Sequence, residues 1–175
     1  DGTQATVVAR DGVALIVHPT NPITGLTLIQ AHELFSGRTV DWEQVGGVSG
    51  LVQVVSREDG SGTRTAFETM VMNEDPVTLT ALVMPNSQAM ADYVARDPRA
   101  LGYVSMAYVN GQVRAVAVEG LLPTPENVSR GEYHLTRELI FLSRQDASPP
   151  AQEFLDFALS PAGQSIVAQN HGRVR

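Results

Sequence analysis

The chain has 175 residues, of which 43% are hydrophobic and 18% are charged. This length and composition fit one globular domain or two small lobes, and they exclude wholesale disorder. The formal net charge of −7 argues against general nucleic-acid binding, which needs a basic face. No apolar run approaches the roughly 20 residues of a membrane-spanning helix.

Two missing residue types exclude several kinds of site. Without cysteine the chain can form no disulfide, no thiolate metal site and no cysteine nucleophile. All twelve positive charges are arginines, so a Walker-type P-loop and Schiff-base chemistry, which need a lysine, are excluded. The sequence also begins without the basic and apolar regions of a signal peptide, so any such peptide is expected to have been removed or never present.

Hydrophobic periodicity and turn residues divide the chain into alternating strands and helices. In chain order, the predicted elements are strands 6–10 and 13–18, a helix from 27 to 37, a helical turn at 42–45, strand 51–56, helices 63–72 and 87–96, strands 101–104 and 112–118, a helical turn within 123–131, strand 135–143, and helices 150–159 and 161–169. Residues 73–85 show no clear pattern. Because strands and helices intermix, the predicted fold class is α/β.

Local signals fix several of these boundaries. Asp11-Gly12 is a turn dipeptide and predicts a hairpin between the first two strands, of which the second is apolar on both faces. Thr27 and Gln30 have the spacing of a capping box. Ser160-Pro161 places an N-cap residue before a proline at the first helical position, which predicts a new helix there.

The segment from Ser56 to Phe67 carries the strongest chemical signal, since it reads as a strand, a glycine-bracketed turn and a helix. Such a turn offers free backbone N–H groups at the positive end of a helix, and its glycines let a ligand approach closely. Ser61 and Thr63 add hydroxyl donors, while Arg57 and Arg64 can supply charge-assisted hydrogen bonds. These groups together predict a site for a small tetrahedral oxyanion.

Asp59 is predicted to lie behind this site, where its carboxylate would hold the Arg57 guanidinium rather than touch the anion. A simpler interpretation of the Gly-Ser-Gly-Thr turn is a flexible loop with a helix N-cap, and the residues alone leave both interpretations open. Ser61 lacks the Gly-x-Ser-x-Gly context of a nucleophile, and the four histidines show no metal-ligand spacing. We therefore expect no catalysis, no metal and no cofactor.

The segment Arg57-Glu58-Asp59-Gly60-Ser61-Gly62-Thr63-Arg64, followed by Phe67, resembles the phosphate loop of the phosphate-binding proteins of ABC transporters. These proteins belong to the type II periplasmic binding protein superfamily. Further segments resemble the family in the same order along the chain: 10–14, 18–22, 26–37, 41–47, 101–105, 123–133 and 160–164.

The resemblance implies a lobe of the type II periplasmic-binding-protein fold, with a mixed sheet flanked by helices. Residues 23–135 would form the second-lobe-like α/β domain that carries the anion loop. Residues 1–22 and 136–175 would form crossover strands and C-terminal helices that normally pack on a first lobe. In the family, positions matching Arg57, Ser61, Gly62 and Thr63 bind phosphate; Arg64 is added here as a ligand, and Asp59 resembles the acid that orients the arginine.

The resemblance also implies an extracytoplasmic protein, periplasmic or at the cell surface, with a lipid anchor as an option in the full-length protein. It would bind inorganic phosphate or a related oxyanion and work with an ABC permease. The family's first lobe, which supplies the acceptor for the phosphate proton, has no counterpart in this sequence. Its expected replacement is a separate first lobe or another copy of the chain.

An alternative hypothesis is an interaction or sensory module that keeps the lobe fold and pairs with another lobe or protein. Apolar patches left by the absent lobe would favour it, and residues 13–17 and 139–142 are the candidates. An enzyme acting on phosphate esters would need a metal or a nucleophile that the sequence does not offer.

Overall fold

A computed structural model of the chain describes residues 2–144 and 146–174. The strands are β1 (Thr3–Val17), β2 (Gly25–Leu26), β3 (Gln53–Arg57), β4 (Leu82–Met84), β5 (Ala100–Ser105), β6 (Arg114–Val118) and β7 (Thr136–Arg144). The α-helices are α1 (Leu28–Ser36), α2 (Gly62–Phe67), α3 (Ser87–Val94), α4 (Pro125–Ser129), α5 (Pro149–Leu159) and α6 (Pro161–Val167). Short 3₁₀ turns cover Trp42–Val45 and Met106–Tyr108, and a wider π turn, Glu68–Met72, continues α2.

The strands form a mixed sheet with the order β2-β6-β1-β5-β3-β4. The central strand β1 runs antiparallel to β5 and β6, whereas β3 is parallel to both β4 and β5. Residues 13–17 of β1 are fully buried in the middle of this sheet. The predicted α/β class, with a mixed sheet flanked by helices, is confirmed.

The predicted hairpin at Asp11-Gly12 was wrong, because β1 passes through both residues without turning. The Asp11 side chain is buried and hydrogen-bonded to Ser105 and Arg137, so this residue lies in the packed interior and not in an exposed turn. A Cβ on Gly12 would lie 3.0 Å from Val128 Cγ2, which shows that a close approach, and not a turn, requires the glycine.

The first half of β1 leaves the sheet and pairs with β7 as a two-stranded ribbon, from Thr3 opposite Arg144 to Gly12 opposite Thr136. The register shifts between Val7 and Ala9, which marks a β-bulge in the ribbon. The helices α5 and α6 lie beside it, and Gln164 Nε2 of α6 donates a 3.0 Å hydrogen bond to the Val8 carbonyl.

The ribbon and the helices beside it carry several exposed apolar side chains. Phe141 of β7 stacks on Phe154 of α5 with ring centroids 5.4 Å apart, yet Phe141 remains 37% exposed and Phe154 57% exposed. The remaining exposed apolar side chains here are Ile140, Leu142, Phe157 and Ile166. We call these six residues the apolar face. The expectation of an exposed patch therefore holds at residues 140–142 and was wrong for residues 13–17, which the sheet covers.

Helix boundaries follow the predicted caps. Both hydrogen bonds of the Thr27 capping box are present, and α1 ends at Gly37 with a left-handed φ of 77°. Ser160 caps α6, with a proline in the first turn. The cap of α3 is Asn86, one residue before the predicted start of this helix, which leaves the Ser87 hydroxyl available for another contact. None of the helices that the structure describes combines the length and apolar character needed to cross a bilayer.

Candidate functional site

The loop between β3 and α2 folds as the glycine pattern predicts. Gly60 adopts a left-handed φ of 84°, which most side chains disfavour, and so turns the chain into the helix. Ser61 is the N-cap of α2, and its Oγ accepts a 3.3 Å hydrogen bond from the Arg64 N–H. The backbone N–H groups of Gly62 and Thr63 lie in the first helical turn, where an intrahelical acceptor does not exist.

The side chain of Arg57, the last residue of β3, is buried at one wall of a pocket beside this loop. Its Nε and Nη2 donate to the two carboxylate oxygens of Glu58, at 3.1 and 2.9 Å, and its Nη1 donates to Ser87 Oγ at 3.0 Å. The hydrogen bonds from Arg57 hold the pKa of the Glu58 carboxyl below its usual value, so Glu58 stays ionised. The guanidinium is thus held in a fixed orientation, and its remaining N–H groups are available to a ligand.

The backbone at this point is fixed by a buried aromatic cluster. Phe67 stacks on Tyr103 with ring centroids 4.0 Å apart, and Phe35 packs against both rings. The Tyr103 hydroxyl lies 3.0 Å from Ser56 Oγ and accepts a 3.3 Å hydrogen bond from the Arg57 N–H. Burial raises the pKa of Tyr103, so its hydroxyl stays neutral in this network.

The expectation that Asp59 holds Arg57 was wrong, because Glu58 takes that position. The Asp59 side chain is 97% exposed and pairs with Arg64 Nη1 at 2.7 Å. The physical reason is the turn at Gly60, which directs Asp59 outward toward the helix. Sequence spacing alone could not distinguish the two neighbouring acids.

Arg64 lies outside the residues that line the pocket. Its Nη1 donates to the Arg57 carbonyl at 2.8 Å, and its Nε donates to Glu68 at 2.7 Å. The hydrogen bond to Glu68 raises the pKa of Arg64, as expected of a guanidinium committed to an ion pair. Arg64 therefore braces the loop from the side away from the pocket.

The opposite wall of the pocket is built from residues that are far apart in the sequence. Asp11 is buried, and its Oδ2 accepts hydrogen bonds from Arg137 Nε and Nη2, at 3.0 and 2.8 Å. Ser105 Oγ donates to Asp11 Oδ1 at 2.7 Å. His171 Nδ1 lies 3.5 Å from the same oxygen and has no hydrogen-bond partner among the described residues.

Burial raises the pKa of Asp11, but neighbouring His171, Ser105 and Arg137 outweigh burial and bring the pKa below its usual value. Asp11 is therefore ionised and paired. Sequence reasoning missed this cluster, and it said of the histidines only that they lack metal-ligand spacing. One signal was present: Arg10-Asp11 interrupts a largely apolar stretch of β1, and a carboxylate there is buried only when it is paired.

The pocket has a volume of about 450 Å³ and is open to solvent. Around it lie arginines from β3 and β7, the hydroxyls of the loop and the N-terminus of α2, together with Asn86 and Ser87. Its two carboxylates, Asp11 and Glu58, each face an arginine. The pocket therefore presents mainly hydrogen-bond donors, an arrangement that suits a small oxyanion.

Elsewhere the described residues offer weaker candidates for a site. A pocket of about 320 Å³ lies beside Trp42, and Arg99 is its single charged lining residue. Within residues 2–144 and 146–174, no group of three or more His, Asp or Glu side chains is placed to hold a metal ion. The glycine loop thus has the stronger claim to be the functional site.

Comparisons with known proteins identify the family to which the chain belongs. The family model described as a PBP superfamily domain matches residues 1–162. The phosphate-binding protein PstS of Bacillus subtilis (strain 168) is 27% identical over 169 residues, which cover 95% of this chain and 56% of that protein. The chain thus spans little more than half the length of this curated relative.

Two solved structures match nearly the whole chain. A putative phosphate ABC transporter substrate-binding protein with bound phosphate from Clostridium perfringens has a TM-score of 0.93 and 36% identity, covering 99% of this chain and 73% of that one. An ABC-type phosphate transport receptor from Vibrio cholerae has a TM-score of 0.82 and 30% identity, covering 98% and 73%. The chain belongs to the PBP superfamily and, within it, to the family of ABC-transporter phosphate-binding proteins.

Proposed function

We propose that the chain binds inorganic phosphate, or an oxyanion of the same shape and charge, in the pocket beside the glycine loop. The observation that carries this proposal is the buried Arg57 guanidinium, which Glu58 and Ser87 hold beside the free N–H groups of the α2 N-terminus. Membership of a family that includes a structure with bound phosphate supports the choice of anion.

The proposed ligands are Arg57, the Ser61 and Thr63 hydroxyls, and the N–H groups of Gly62 and Thr63. Ser61 and Thr63 are both largely buried at the pocket wall. Arg64 is left out, because its guanidinium pairs with Asp59 and Glu68 away from the pocket. Asp59 is left out of the supporting residues, and Glu58 replaces it.

The protein acts, in this proposal, as the solute-binding component of an ABC transporter outside the cytoplasm, with no catalysis of its own. The relatives with solved structures are described as a substrate-binding protein and a transport receptor, and these descriptions name no enzymatic activity. An ABC permease is the expected partner. The alternative of an interaction or sensory module is not favoured, since the named relatives are phosphate-binding proteins.

A separate first lobe is proposed to cover the apolar face and to close the pocket from the open side. The chain spans about 56% of the Bacillus subtilis relative, so that relative contains a further segment of comparable size to a lobe. Stacked, exposed phenylalanines on the ribbon are the kind of surface that such a segment would bury. A second copy of this chain is the other candidate for that position.

Equilibrium dialysis with radiolabelled phosphate tests the proposed ligand. Arg57→Ala should weaken binding by at least ~10-fold, because a hydrogen bond to a charged group contributes about 1.5–3 kcal/mol. Arg99→Ala removes an equal charge from an exposed position beside the other pocket, and should leave binding unchanged. Equal affinities for the wild-type chain and Arg57→Ala would contradict the proposed site.

A further inference from the structure

Arg137 is an arginine of the ribbon strand β7 whose guanidinium is only partly used by the fold. Its Nε and Nη2 donate to Oδ2 of Asp11, at 3.0 and 2.8 Å. Its Nη1 donates no hydrogen bond to any described residue. Since a guanidinium has two N–H groups at Nη1, this end of Arg137 is available to a ligand.

The free end of Arg137 lies against the glycine loop. A Cβ built on Gly62 would be 3.2 Å from Arg137 Nη1, closer than ordinary side-chain contacts. Arg137 and Arg57 both line the same pocket, together with Gly62 and Thr63 of the helix N-terminus. A small anion bound to the N–H of Gly62 would therefore be within reach of Nη1.

The Asp11 carboxylate fixes this geometry. It is buried, so Arg137 is held at a defined position rather than moving as a solvated side chain. Ser105 bonds to the other oxygen of Asp11 at 2.7 Å, which in turn fixes the carboxylate. A planar guanidinium held on one edge by a carboxylate presents its opposite edge, and here that edge faces the pocket.

A purely structural role, like that of Arg64, is the competing explanation. Arg64 differs in two ways, because it lies outside the pocket lining and both its Nε and its Nη1 have acceptors. Arg137 lines the pocket and keeps Nη1 unengaged by the described residues.

We propose that Arg137 is a second anion-binding arginine, positioned by Asp11, so that an oxyanion is held between the glycine loop and strand β7. This inference rests on the proposed function of the pocket. It means that the ligand contacts the ribbon as well as the lobe. Anion binding would thus tie the two parts of the fold together.

The test is a phosphate titration followed by the NMR signals of the backbone amides and of the arginine Nε–H groups. Arg137→Gln should weaken phosphate binding about 10- to 100-fold, because it removes charge-assisted hydrogen bonds. Arg144→Gln is the matched control, since Arg144 lies on the same strand, carries the same charge and pairs with Asp146 at an exposed position. It should bind phosphate as the wild-type chain does.

A second variant guards against loss of fold, because Arg137→Gln leaves the Asp11 carboxylate without its cation. Arg137→Lys keeps a cation beside Asp11 but lacks the free guanidinium edge, so it should fold and still bind phosphate at least ~10-fold more weakly. Wild-type affinity in a folded Arg137→Lys would overturn the inference and leave the proposed function standing. No binding by the wild-type chain at tens of millimolar phosphate would contradict both.

Discussion

At the residue scale, the site depends on which donors are free and which are already used. Arg57 and Arg137 each use some of their guanidinium N–H groups in hydrogen bonds to a carboxylate. The remaining N–H groups of each are available to a ligand in the pocket. Arg64 is also an arginine beside this loop, but its N–H groups bond to the Arg57 carbonyl and to the carboxylates of Asp59 and Glu68. Whether an arginine can bind the anion or only supports the loop therefore depends on its hydrogen-bond partners. The sequence does not specify these partners.

The two loop glycines are predicted to respond differently to alanine. Gly62→Ala should weaken phosphate binding without loss of stability, because its Cβ would press on Arg137 Nη1 while alanine favours the helix. Gly60→Ala should instead lower the free energy of unfolding by about 1–2 kcal/mol, because its φ of 84° is left-handed and alanine disfavours that conformation. The added Cβ would meet no atom within 4 Å, so no steric clash contributes. Urea unfolding and phosphate titration of both variants measure the two effects. The prediction fails if Gly62→Ala binds like the wild type.

Asp11 gives the fold a predicted pH dependence. Its lowered pKa means that the ionised carboxylate stabilises the folded state above the ordinary pKa near 3.8, and that this contribution is lost as the pH falls toward the folded-state pKa. Asp11→Asn should therefore be less stable than the wild type at about pH 6, with the difference narrowing below about pH 4. Urea unfolding across this range measures it, with the exposed Asp146→Asn as control. A difference that stays constant with pH would count against the prediction.

At the element scale, contacts between neighbouring strands position the loop. Tyr103 of β5 reaches across to the end of β3, where its hydroxyl bonds to Ser56 and to the Arg57 N–H. Its ring also packs on Phe67 of α2. One side chain therefore fixes both the strand that precedes the glycine turn and the helix that follows it.

Removing the Tyr103 hydroxyl should destabilise this junction. In Tyr103→Phe the buried Arg57 N–H and Ser56 hydroxyl lose a partner, which should cost about 1–3 kcal/mol in the free energy of unfolding. Tyr93→Phe is the matched control, since its hydroxyl makes a single 3.3 Å hydrogen bond to Asp97. Denaturant unfolding compares the variants, and equal stabilities would show that the hydroxyl does not support the loop.

The sequence predicted most elements because their signals are local. The Thr27 capping box, Gly37 and Ser160-Pro161 mark helix ends through neighbouring atoms, and the structure confirms all three. Asp11-Gly12 misled because its local turn preference is overridden by distant contacts, with Arg137 on one side and Val128 on the other. Half of the pocket was missed for the same reason: β1, β5 and β7 bring its residues together only in the folded chain.

At the scale of the whole molecule, the described residues form a mixed sheet flanked by helices, and a two-stranded ribbon extends from its central strand. Residues 13–17 of β1 are buried at the centre of the sheet, while the first half of the same strand forms the ribbon with β7. The predicted division at residue 22 thus falls after a strand that serves both parts. The apolar face lies on the ribbon side, and the ribbon strand β7 also supplies Arg137 and Leu139 to the pocket lining.

The apolar face should make the isolated chain associate with itself. Phe141 and Phe154 are exposed and stacked, and burying such rings removes apolar surface from water. We expect sedimentation velocity to show concentration-dependent association, and expect Phe141→Ser with Phe154→Ser to reduce it. Replacing two exposed valines outside the apolar face, Val48→Ser with Val83→Ser, should leave the association unchanged. A chain that stays monomeric at high concentration would argue against a covering partner.

The central claim is that this chain holds an anion with the glycine loop and its neighbouring arginines. An amide NMR titration with phosphate, repeated with Arg57→Ala, tests it most directly, because it detects millimolar binding and locates it. The account predicts shifts at residues 57–63 and around Ser87 and Arg137, all lost in Arg57→Ala. Shifts elsewhere, or none by tens of millimolar phosphate, would contradict it.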